Sequence, residues 1–548
     1  MKIFKMILAV MMCLIGGVSQ AQFHIIPKPV ELHKGEGSFL ITEKTRINAT
    51  KDVDTQKLVH YLKNKISEIS GYQLKEAKSP SKNIIVFSQT APTSLGKEGY
   101  ELEINPEKIT IKYNSREGAF YAVQTLLQML PMVRNNAPLI VPSVQIKDYP
   151  RFKWRGMMLD VSRHFYSVDA IKQTLDMLAF YKVNTFQWHL CDNEGWRLEI
   201  KKYPKLTEIG AWRMEIPKAR IYQKDTVPTG EKYLYGGYYT QEQAKDIVAY
   251  AKERNITVIP EIEMPGHSGA ALAAYPQFSC NGKAQETPNS ILHHTDKYRD
   301  SFNLEYCAGK DETFTFLENI LKEVIEIFPS EYIHIGGDEV DKKHWENCTL
   351  CQARMKKENL KDTHELQSYF VKRIEKFLTK HHRKLLGWDE ILEGGLAPSA
   401  TVMSWRGEKG GIAAAKMGHN VVMSPSNPLY FIRHQDRSEI GKYWAPKFSI
   451  NTLEAVYGYN PNSDKLSPEQ QKYVLGTQFA VWTEFMSSVL HYEYMIYPRM
   501  QAFAEMAWTP LENKNFDDFV KRLNAYHFDE WKLKGINFYP KYYDKTAY

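Results

Sequence analysis

The stretch Tyr332-Ile333-His334-Ile335-Gly336-Gly337-Asp338-Glu339 joins a short apolar run, two glycines and two adjacent carboxylates. An apolar run bounded by glycine is typical of a strand that is buried on both faces. The glycines allow the backbone to bend tightly where the strand leaves its sheet. Taken alone, the acidic pair is also compatible with a turn that carries two solvated acids. If both carboxylates lie in one pocket, their repulsion raises the pKa of at least one, which is a condition for a general acid near neutral pH.

Seven similar apolar runs surround this one along the chain, and amphipathic helical patterns lie between most of them. One such helix has Ser167 as its predicted N-cap and a single apolar face. The predicted strands are Gly156–Asp160, Thr185–His189, Thr257–Glu261, Tyr332–Ile335, Leu385–Trp388, Val402–Trp405, Asn420–Met423 and Gly476–Ala480. Eight strands that alternate with helices predict an α/β fold, a (β/α)8 TIM-type barrel.

The chain has 548 residues, which is more than one compact core usually holds. Residues 1–21 are predicted to be a signal peptide, because Lys2 and Lys5 precede a short apolar run and Ser19-Gln20-Ala21 offers a cleavage site. Residues 22–148 have alternating runs and one helical stretch, which indicates a small non-catalytic α/β domain in front of the barrel. The barrel is assigned to residues 149–510, and residues 511–548 are expected to form a helical extension packed on it.

The composition is that of a globular protein, with 43% hydrophobic residues and a formal net charge of +7. The basic residues are scattered among acids, so no nucleic-acid partner is expected. No later stretch is long and apolar enough for a membrane span. We therefore expect an exported protein that is periplasmic, attached to the cell surface or secreted; the oligomeric state is not predictable.

In a (β/α)8 barrel, the working residues lie at the carboxyl ends of the strands and in the loops that follow. Every predicted strand end here carries carboxylates, imidazoles or large aromatic side chains, which packing alone does not explain. In chain order they are Asp160 and Arg163; His189, Asp192 and Trp196; Glu261, Glu263 and His267; Asp338 and Glu339; Trp388 and Asp389; Trp405; Tyr430; Trp482 and Glu484.

Five of these segments, in this order, resemble the motifs of glycoside hydrolase family 20, the β-N-acetylhexosaminidases. They are Asp160-Val-Ser-Arg163-His-Phe165, His189-Leu-Cys-Asp192, Glu263-Met-Pro-Gly-His267, His334-Ile-Gly-Gly-Asp338-Glu339 and Trp482-Thr-Glu484. The resemblance covers about residues 151–510, and the leading domain is similar to the family's non-catalytic domain. It implies exo-acting hydrolysis of terminal β-linked GlcNAc or GalNAc from a glycan partner, without a metal or organic cofactor.

The resemblance also implies a retaining, substrate-assisted mechanism, in which the 2-acetamido oxygen of the sugar attacks its own anomeric carbon and an oxazolinium intermediate forms. Glu339 would protonate the leaving oxygen and later deprotonate water. Asp338 would hydrogen-bond the acetamido N–H and offset the developing positive charge. Asp192 and His267 would support Asp338, although a salt-bridged strand end and a structural histidine are the plainer interpretations of those two.

Further residues would bind the sugar itself. Arg163 and Glu484 would hold ring hydroxyls through charged hydrogen bonds, unless Arg163 serves only a structural ion pair with Asp160. Aromatic side chains would wall the pocket, stack on the ring and bind the acetamido carbonyl, unless they serve core packing or structure; they are Trp388, Trp405, Trp482 and Tyr430.

The chain departs from the family pattern at two places. Asn193 stands where many members have a second acid, and Ile432 stands where many have an Asp or Asn that contacts the far side of the sugar. Arg433 follows Ile432 and could face an anionic substituent such as a 6-sulfate on GlcNAc. The alternatives left open are a disaccharide-releasing relative similar to a lacto-N-biosidase, a preference for GalNAc, and a non-catalytic glycan-binding protein on an enzyme-like barrel.

Cysteines give a further set of expectations. Cys280 and Cys307 flank one long loop and could form a disulfide in an oxidising compartment. Cys348-Thr-Leu-Cys351 is a C-x-x-C near two histidines, so it could bind zinc, form a local disulfide or stay reduced; in an exported enzyme the last two are favoured, and no metal site is expected. The two histidines are His344 and His364.

Overall fold

The computed structural model describes residues 23–77, 82–132, 134, 138–215, 233–289, 302–439 and 449–544. It divides into two compact units. One holds the chain up to Tyr149 together with Glu512–Gly535 and the end of the chain from Pro540; the other holds Pro150–Leu511 with Ile536–Tyr539. The predicted signal peptide lies outside the described residues.

The second unit is a closed barrel of eight parallel strands, so the predicted (β/α)8 barrel is confirmed. The strands are β1 (Trp154–Asp160), β2 (Thr185–His189), β3 (Thr257–Glu261), β4 (Tyr332–His334), β5 (Lys384–Trp388), β6 (Thr401–Ser404), β7 (Val421–Met423) and β8 (Val474–Val481). The barrel closes where β8 pairs with β1, from Gly476 opposite Trp154 to Val481 opposite Leu159. Each strand that the sequence predicts is present.

The local sequence explains these elements. All residues of β1 and β2 are buried, as expected for parallel strands with both faces covered. The Ser167 hydroxyl accepts a hydrogen bond from the Ala170 N–H at 3.3 Å and caps the next helix, whose inner face is the predicted apolar one.

The helices of this unit are Val168–Phe180, Lys205–Glu208, Gln241–Glu253, Gly269–Ala274, Asp311–Ile327, Lys343–Asn347, Thr349–Glu358, Thr363–Lys380, Lys409–Lys416, Ser426–Leu429, Leu453–Gly458, Pro468–Gln471, Val489–Ile496 and Arg499–Trp508. Two short antiparallel strand pairs follow β2: Cys191–Asp192 pairs with Gly195–Trp196, and Trp212–Glu215 pairs with Tyr233–Gly236. Within the described ranges, no helix has the length and apolar character that a bilayer crossing needs.

The first unit is an α/β domain with a seven-stranded mixed sheet and the helices Val53–Ser70 and Arg116–Leu127. In spatial order its strands are Glu31–Ile41, Leu139–Asp148, Tyr100–Ile104, Lys108–Tyr113, Ile84–Ser88, Arg46–Asn48 and Lys75–Glu76. The small α/β domain that the sequence predicts ahead of the barrel is therefore present.

The C-terminal extension contains helices. Its helical segments Phe516–Arg522, Leu523–His527 and Phe528–Lys534 belong to the first unit and not to the barrel. There Arg522 donates to the Ile25 carbonyl at 2.7 Å, and the Met132 N–H donates to Glu530 at 2.7 Å. Glu512–Gly535 is thus part of the first unit, and an apolar helix face in the sequence shows that a partner exists without showing which one.

Candidate active site

The end of β4 presents the acidic pair through a sharply bent backbone. Gly336 and Gly337 have φ values of +69° and +94°, a region that favours glycine. A Cβ on Gly336 would lie 1.5 Å from a carboxylate oxygen of Glu263, so only glycine is accommodated there. Glu339 itself has φ +46°, which is uncommon for a residue with a side chain and frequent at functional sites.

The two carboxylates differ in exposure. Asp338 is buried, with 7% of its surface exposed, whereas the side chain of Glu339 is 57% exposed. Burial raises the pKa of Asp338 to about 6, and the neighbouring Glu339 charge adds to this while His267 opposes it. One member of the pair thus has the raised pKa that adjacency predicts, but burial contributes more than repulsion does.

His267 lies between the carboxylates of two strand ends. Its Nδ1 is 2.9 Å from Asp192 Oδ1, and its Nε2 is 3.5 Å from Asp338 Oδ2 and 3.7 Å from Glu339 Oε2. Burial alone would lower the pKa of His267, but Asp192 and Asp338 raise it to about 10. The imidazole is therefore positively charged at neutral pH, and it links Asp192 to the acidic pair as the predicted supporting roles require.

Arg163 takes part in a larger ion-pair network than the sequence indicates. Its guanidinium lies 2.8 Å from Asp192, 2.8 Å from Glu194 and 3.3 Å from Asp160. The structural pair with Asp160 is therefore present, but it is one of three. Glu194 was not among the predicted site residues; the only sequence signal for it is its place two residues after Asp192.

Glu484 lies close enough to Arg163 for the two charges to interact. Burial raises the pKa of Glu484 to about 7, and Arg163 opposes that shift. Its Oε2 is buried and has no hydrogen-bond partner within the described part of the chain. That oxygen is a free acceptor next to the network, where a sugar hydroxyl could donate to it.

The four predicted aromatic residues form one contiguous cluster. The rings of Trp405 and Tyr430 stack with centroids 5.9 Å apart, and Tyr430 lies 6.0 Å from Trp482. Trp482 lies 5.9 Å from Trp388. Trp388 is fully buried and donates to Glu261 at 2.9 Å, so in this structure it supports Trp482 and does not form an open wall.

Glu390 is a second site residue that sequence reasoning missed. The Trp405 indole N–H donates to it at 2.9 Å. Burial raises the pKa of Glu390 to about 8, and the Asp338 charge adds to this, so the carboxyl belongs to the same electrostatic environment as the acidic pair. Its signal is its position one residue after Asp389, at a predicted strand end.

The two departures from the family pattern lie beside Tyr430. Ile432 is buried, so it offers no polar contact to a ligand. Arg433 is half-buried, and burial lowers the pKa of its guanidinium. In the described chain no carboxylate lies within ion-pair distance of it. The structure therefore brings the other predicted site residues together, whereas Arg433, which follows Tyr430 by three residues, has no ion pair with them in the described chain.

A (β/α)8 barrel with this acidic pair, ion-pair network and aromatic cluster at its carboxyl strand ends defines a glycoside hydrolase. The family model described as "Glycosyl hydrolase family 20, catalytic domain" matches residues 152–511, and "Glycosyl hydrolase family 20, domain 2" matches residues 22–149. The chain belongs to glycosyl hydrolase family 20.

Individual relatives agree with this assignment. A β-hexosaminidase of Porphyromonas gingivalis is 46% identical over 94% of this chain, which spans 64% of that protein's length. A β-hexosaminidase of Vibrio furnissii is 36% identical, with 89% of this chain and 77% of that protein covered. The crystal structure of a family 20 exo-β-N-acetylglucosaminidase from Vibrio harveyi in complex with N-acetylglucosamine superposes with a TM-score of 0.81 at 32% identity, covering 94% of this chain and 78% of that one.

Proposed function

We propose that the protein hydrolyses terminal, non-reducing β-linked N-acetylhexosamine from glycans, with retention and with the substrate's acetamido oxygen as the nucleophile. The observation that carries the proposal is the pairing of a buried Asp338 with an accessible Glu339. Here the buried partner is the adjacent residue along the chain and is suited to binding an amide.

One carboxylate oxygen of Asp338 faces a charged side chain, and the other has no hydrogen-bond partner in the described chain. Its Oδ2 faces the His267 imidazolium at 3.5 Å, and its Oδ1 is buried with no hydrogen-bond partner among the described residues. A buried acceptor without a donor is costly unless a ligand supplies one. The acetamido N–H supplies it, and the carboxylate then stabilises the positive charge that develops on the oxazolinium ring.

Glu339 has the exposure that proton transfer to a leaving group requires. Its side chain is more than half exposed. The aglycone oxygen can therefore reach it, because that oxygen points out of a pocket that holds the terminal sugar. The same carboxylate then takes a proton from the incoming water. Arg163 and Glu484 hold ring hydroxyls, while the cluster of Trp405, Tyr430 and Trp482 encloses the acetamido group and the sugar face.

The experiment that tests substrate assistance compares two chromogenic substrates, the 4-nitrophenyl glycosides of β-GlcNAc and β-glucose. We expect kcat/KM to be at least about 10³-fold higher for the GlcNAc compound, because the glucoside lacks the intramolecular nucleophile. Equal rates for the two substrates would rule the mechanism out. No turnover of either substrate above that of Glu339→Gln would favour the glycan-binding alternative instead.

Among the enzyme alternatives, a one-sugar pocket is supported over a disaccharide-releasing one. The Vibrio harveyi relative is described as an exo-β-N-acetylglucosaminidase in complex with N-acetylglucosamine. The intact Asp338 and Glu339 pair opposes a purely binding role. GlcNAc and GalNAc differ only at the 4-hydroxyl, so matched 4-nitrophenyl substrates would separate those two preferences.

We further propose that 6-sulfated GlcNAc is accepted through Arg433. The half-buried guanidinium has no acidic partner in the described chain, and the buried Ile432 replaces the polar residue usual at that position. Arg433→Ala is expected to lower kcat/KM for 4-nitrophenyl GlcNAc-6-sulfate by about 10-fold or more while changing the unsulfated substrate little, since a charge-assisted hydrogen bond contributes about 1.5–3 kcal/mol. Equal losses of kcat/KM on both substrates would contradict the role of Arg433. The matched control is Arg437→Ala, at an exposed arginine four residues further along the chain.

We also propose that the protein acts outside the cytosol. The charged start, the short apolar run and the small residues before residue 22 support export. N-terminal sequencing of the mature protein from periplasmic and secreted fractions should begin at Gln22, whereas an intact Met1 in the cytosolic fraction alone would contradict export.

A further inference from the structure

Four cysteines form a compact cluster outside the residues that the proposed reaction uses. Their sulfur atoms all lie within 4.8 Å of one another. Cys307 Sγ is 3.6 Å from Cys351 and 3.8 Å from Cys348, and Cys280 Sγ is 3.8 Å from Cys351. None of the four is in a disulfide. The disulfide that Cys280 and Cys307 could form is not present in this structure.

The spacing matches a tetrahedral metal site better than it matches disulfides. Four thiolates held about 2.3 Å from one zinc ion stand about 3.8 Å from each other along the edges of a tetrahedron. Bonded sulfur atoms would stand about 2.05 Å apart. His344 and His364 take no part in the cluster, because they pair with Glu305 and Glu393 respectively.

Burial and helix position also favour a metal. Cys307 and Cys351 are fully buried and Cys348 is nearly so, which protects a site from exchange with solvent. Cys348 is the N-cap of the ten-residue helix Thr349–Glu358, and Cys351 lies in its first turn. Helix N-termini stabilise thiolates, and a C-x-x-C at such a turn supplies two of the four ligands of many zinc sites.

We propose that Cys280, Cys307, Cys348 and Cys351 bind one structural zinc ion. On binding, the four thiols release four protons and four Zn–S bonds form; no oxidant or reductant takes part. With four protein ligands the ion has no open position, so it does not enter the hydrolytic chemistry. A structural zinc ion would thus take the place of the disulfide or free thiols that the sequence favours.

The site would fix the two loops that carry the reacting groups. The Tyr306 N–H, next to Cys307, donates a hydrogen bond to the Pro265 carbonyl at 2.8 Å. Pro265 follows β3 and lies two residues before His267. The segment around Cys307 also accepts from the loop after β4, where the Trp345 indole N–H donates to the Tyr306 carbonyl at 2.9 Å. A zinc ion bound to the four cysteines would hold these two loops together at a position that is distant in sequence from His267 and Glu339.

The experiment uses the full chain, purified without chelators or added metal, and measures metal content by mass spectrometry together with thiol titration after unfolding in chelator. We expect about one zinc per chain, and we expect Cys191 and all four cluster cysteines to titrate as thiols. Cys351→Ser should lose the zinc. Cys191→Ser, the same change at a buried cysteine outside the cluster, should keep it.

A second measurement on the unaltered chain does not depend on how a variant folds. Replacing the bound metal with cobalt should give the intense visible and near-ultraviolet bands of tetrahedral cobalt thiolate. A metal-free chain, two disulfides with a mass about 4 Da below that of the thiol form, or zinc that survives in Cys351→Ser would each overturn the proposal. None of these readouts uses glycan turnover, so they stand apart from the test of the proposed activity.

Discussion

Glu339→Gln is expected to lower kcat/KM for a β-GlcNAc disaccharide by about 10²–10⁴-fold, the usual contribution of a positioned general acid. The glutamine keeps the size of the side chain but cannot give a proton to the leaving oxygen. The loss should be smaller for an aryl glycoside with an acidic phenol, because such a leaving group needs little protonation. Comparing the two substrates in steady-state assays measures this difference directly.

The matched control is Glu346→Gln, an exposed glutamate in the helix Lys343–Asn347 after the same strand. It removes the same charge from the same loop and should leave both rates within about 2-fold of the unaltered enzyme, as for most surface changes. An equal loss for both leaving groups in Glu339→Gln would mean that Glu339 is not the acid.

The barrel could be predicted because its signals are local. Each strand is a short apolar run, and parallel strands covered on both faces need no alternation. The positions of Asp338, Asp192 and His267 follow from the rule that carboxyl strand ends meet at one face of the barrel. The sequence therefore predicts that these residues lie near one another. It does not predict that His267 lies between the other two, 2.9 Å from Asp192 and 3.5 Å from Asp338.

What could not be predicted depends on contacts between distant segments. The helices of Glu512–Gly535 have apolar faces, but the sequence does not show that they pair with the first unit. The cysteine cluster joins residues that are up to 71 positions apart, so the C-x-x-C, which favours a local disulfide or free thiols, does not show that four sulfur atoms lie together. Glu390 was missed for a similar reason, because its interest comes from burial against Trp405 and from the charge of Asp338.

Asp338→Asn is expected to lower kcat/KM for 4-nitrophenyl β-GlcNAc by about 10²–10³-fold, the range found when a preorganised electrostatic group is removed from a transition state. The amide is isosteric, but it has no negative charge to offset the oxazolinium ion. The slow cleavage of the β-glucoside should change little, since that substrate has no acetamido group for Asp338 to orient. Asp341→Asn, a partly exposed neighbour in the same loop, is the matched control.

The pH dependence provides a second test of the same residue. Burial raises the pKa of Asp338 to about 6, so its carboxylate is present above that pH and is lost as the pH falls below it. The kcat/KM of the unaltered enzyme should therefore fall below about pH 6. His267, with a pKa near 10, stays charged throughout this range. Burial also raises the pKa of Glu484 to about 7 and that of Glu390 to about 8, so the limb is assigned to Asp338 by comparing variants at these positions.

In Asp338→Asn, the fall in kcat/KM below about pH 6 should be absent from the residual activity. In Glu484→Gln, the same fall should still be observed. A limb with an unchanged midpoint in Asp338→Asn would assign the titration to another group. It would also remove the physical basis for an ionised Asp338 beside the acetamido nitrogen. The variant thus tests whether the buried member of the pair acts through its charge, as substrate assistance requires, or only through its shape.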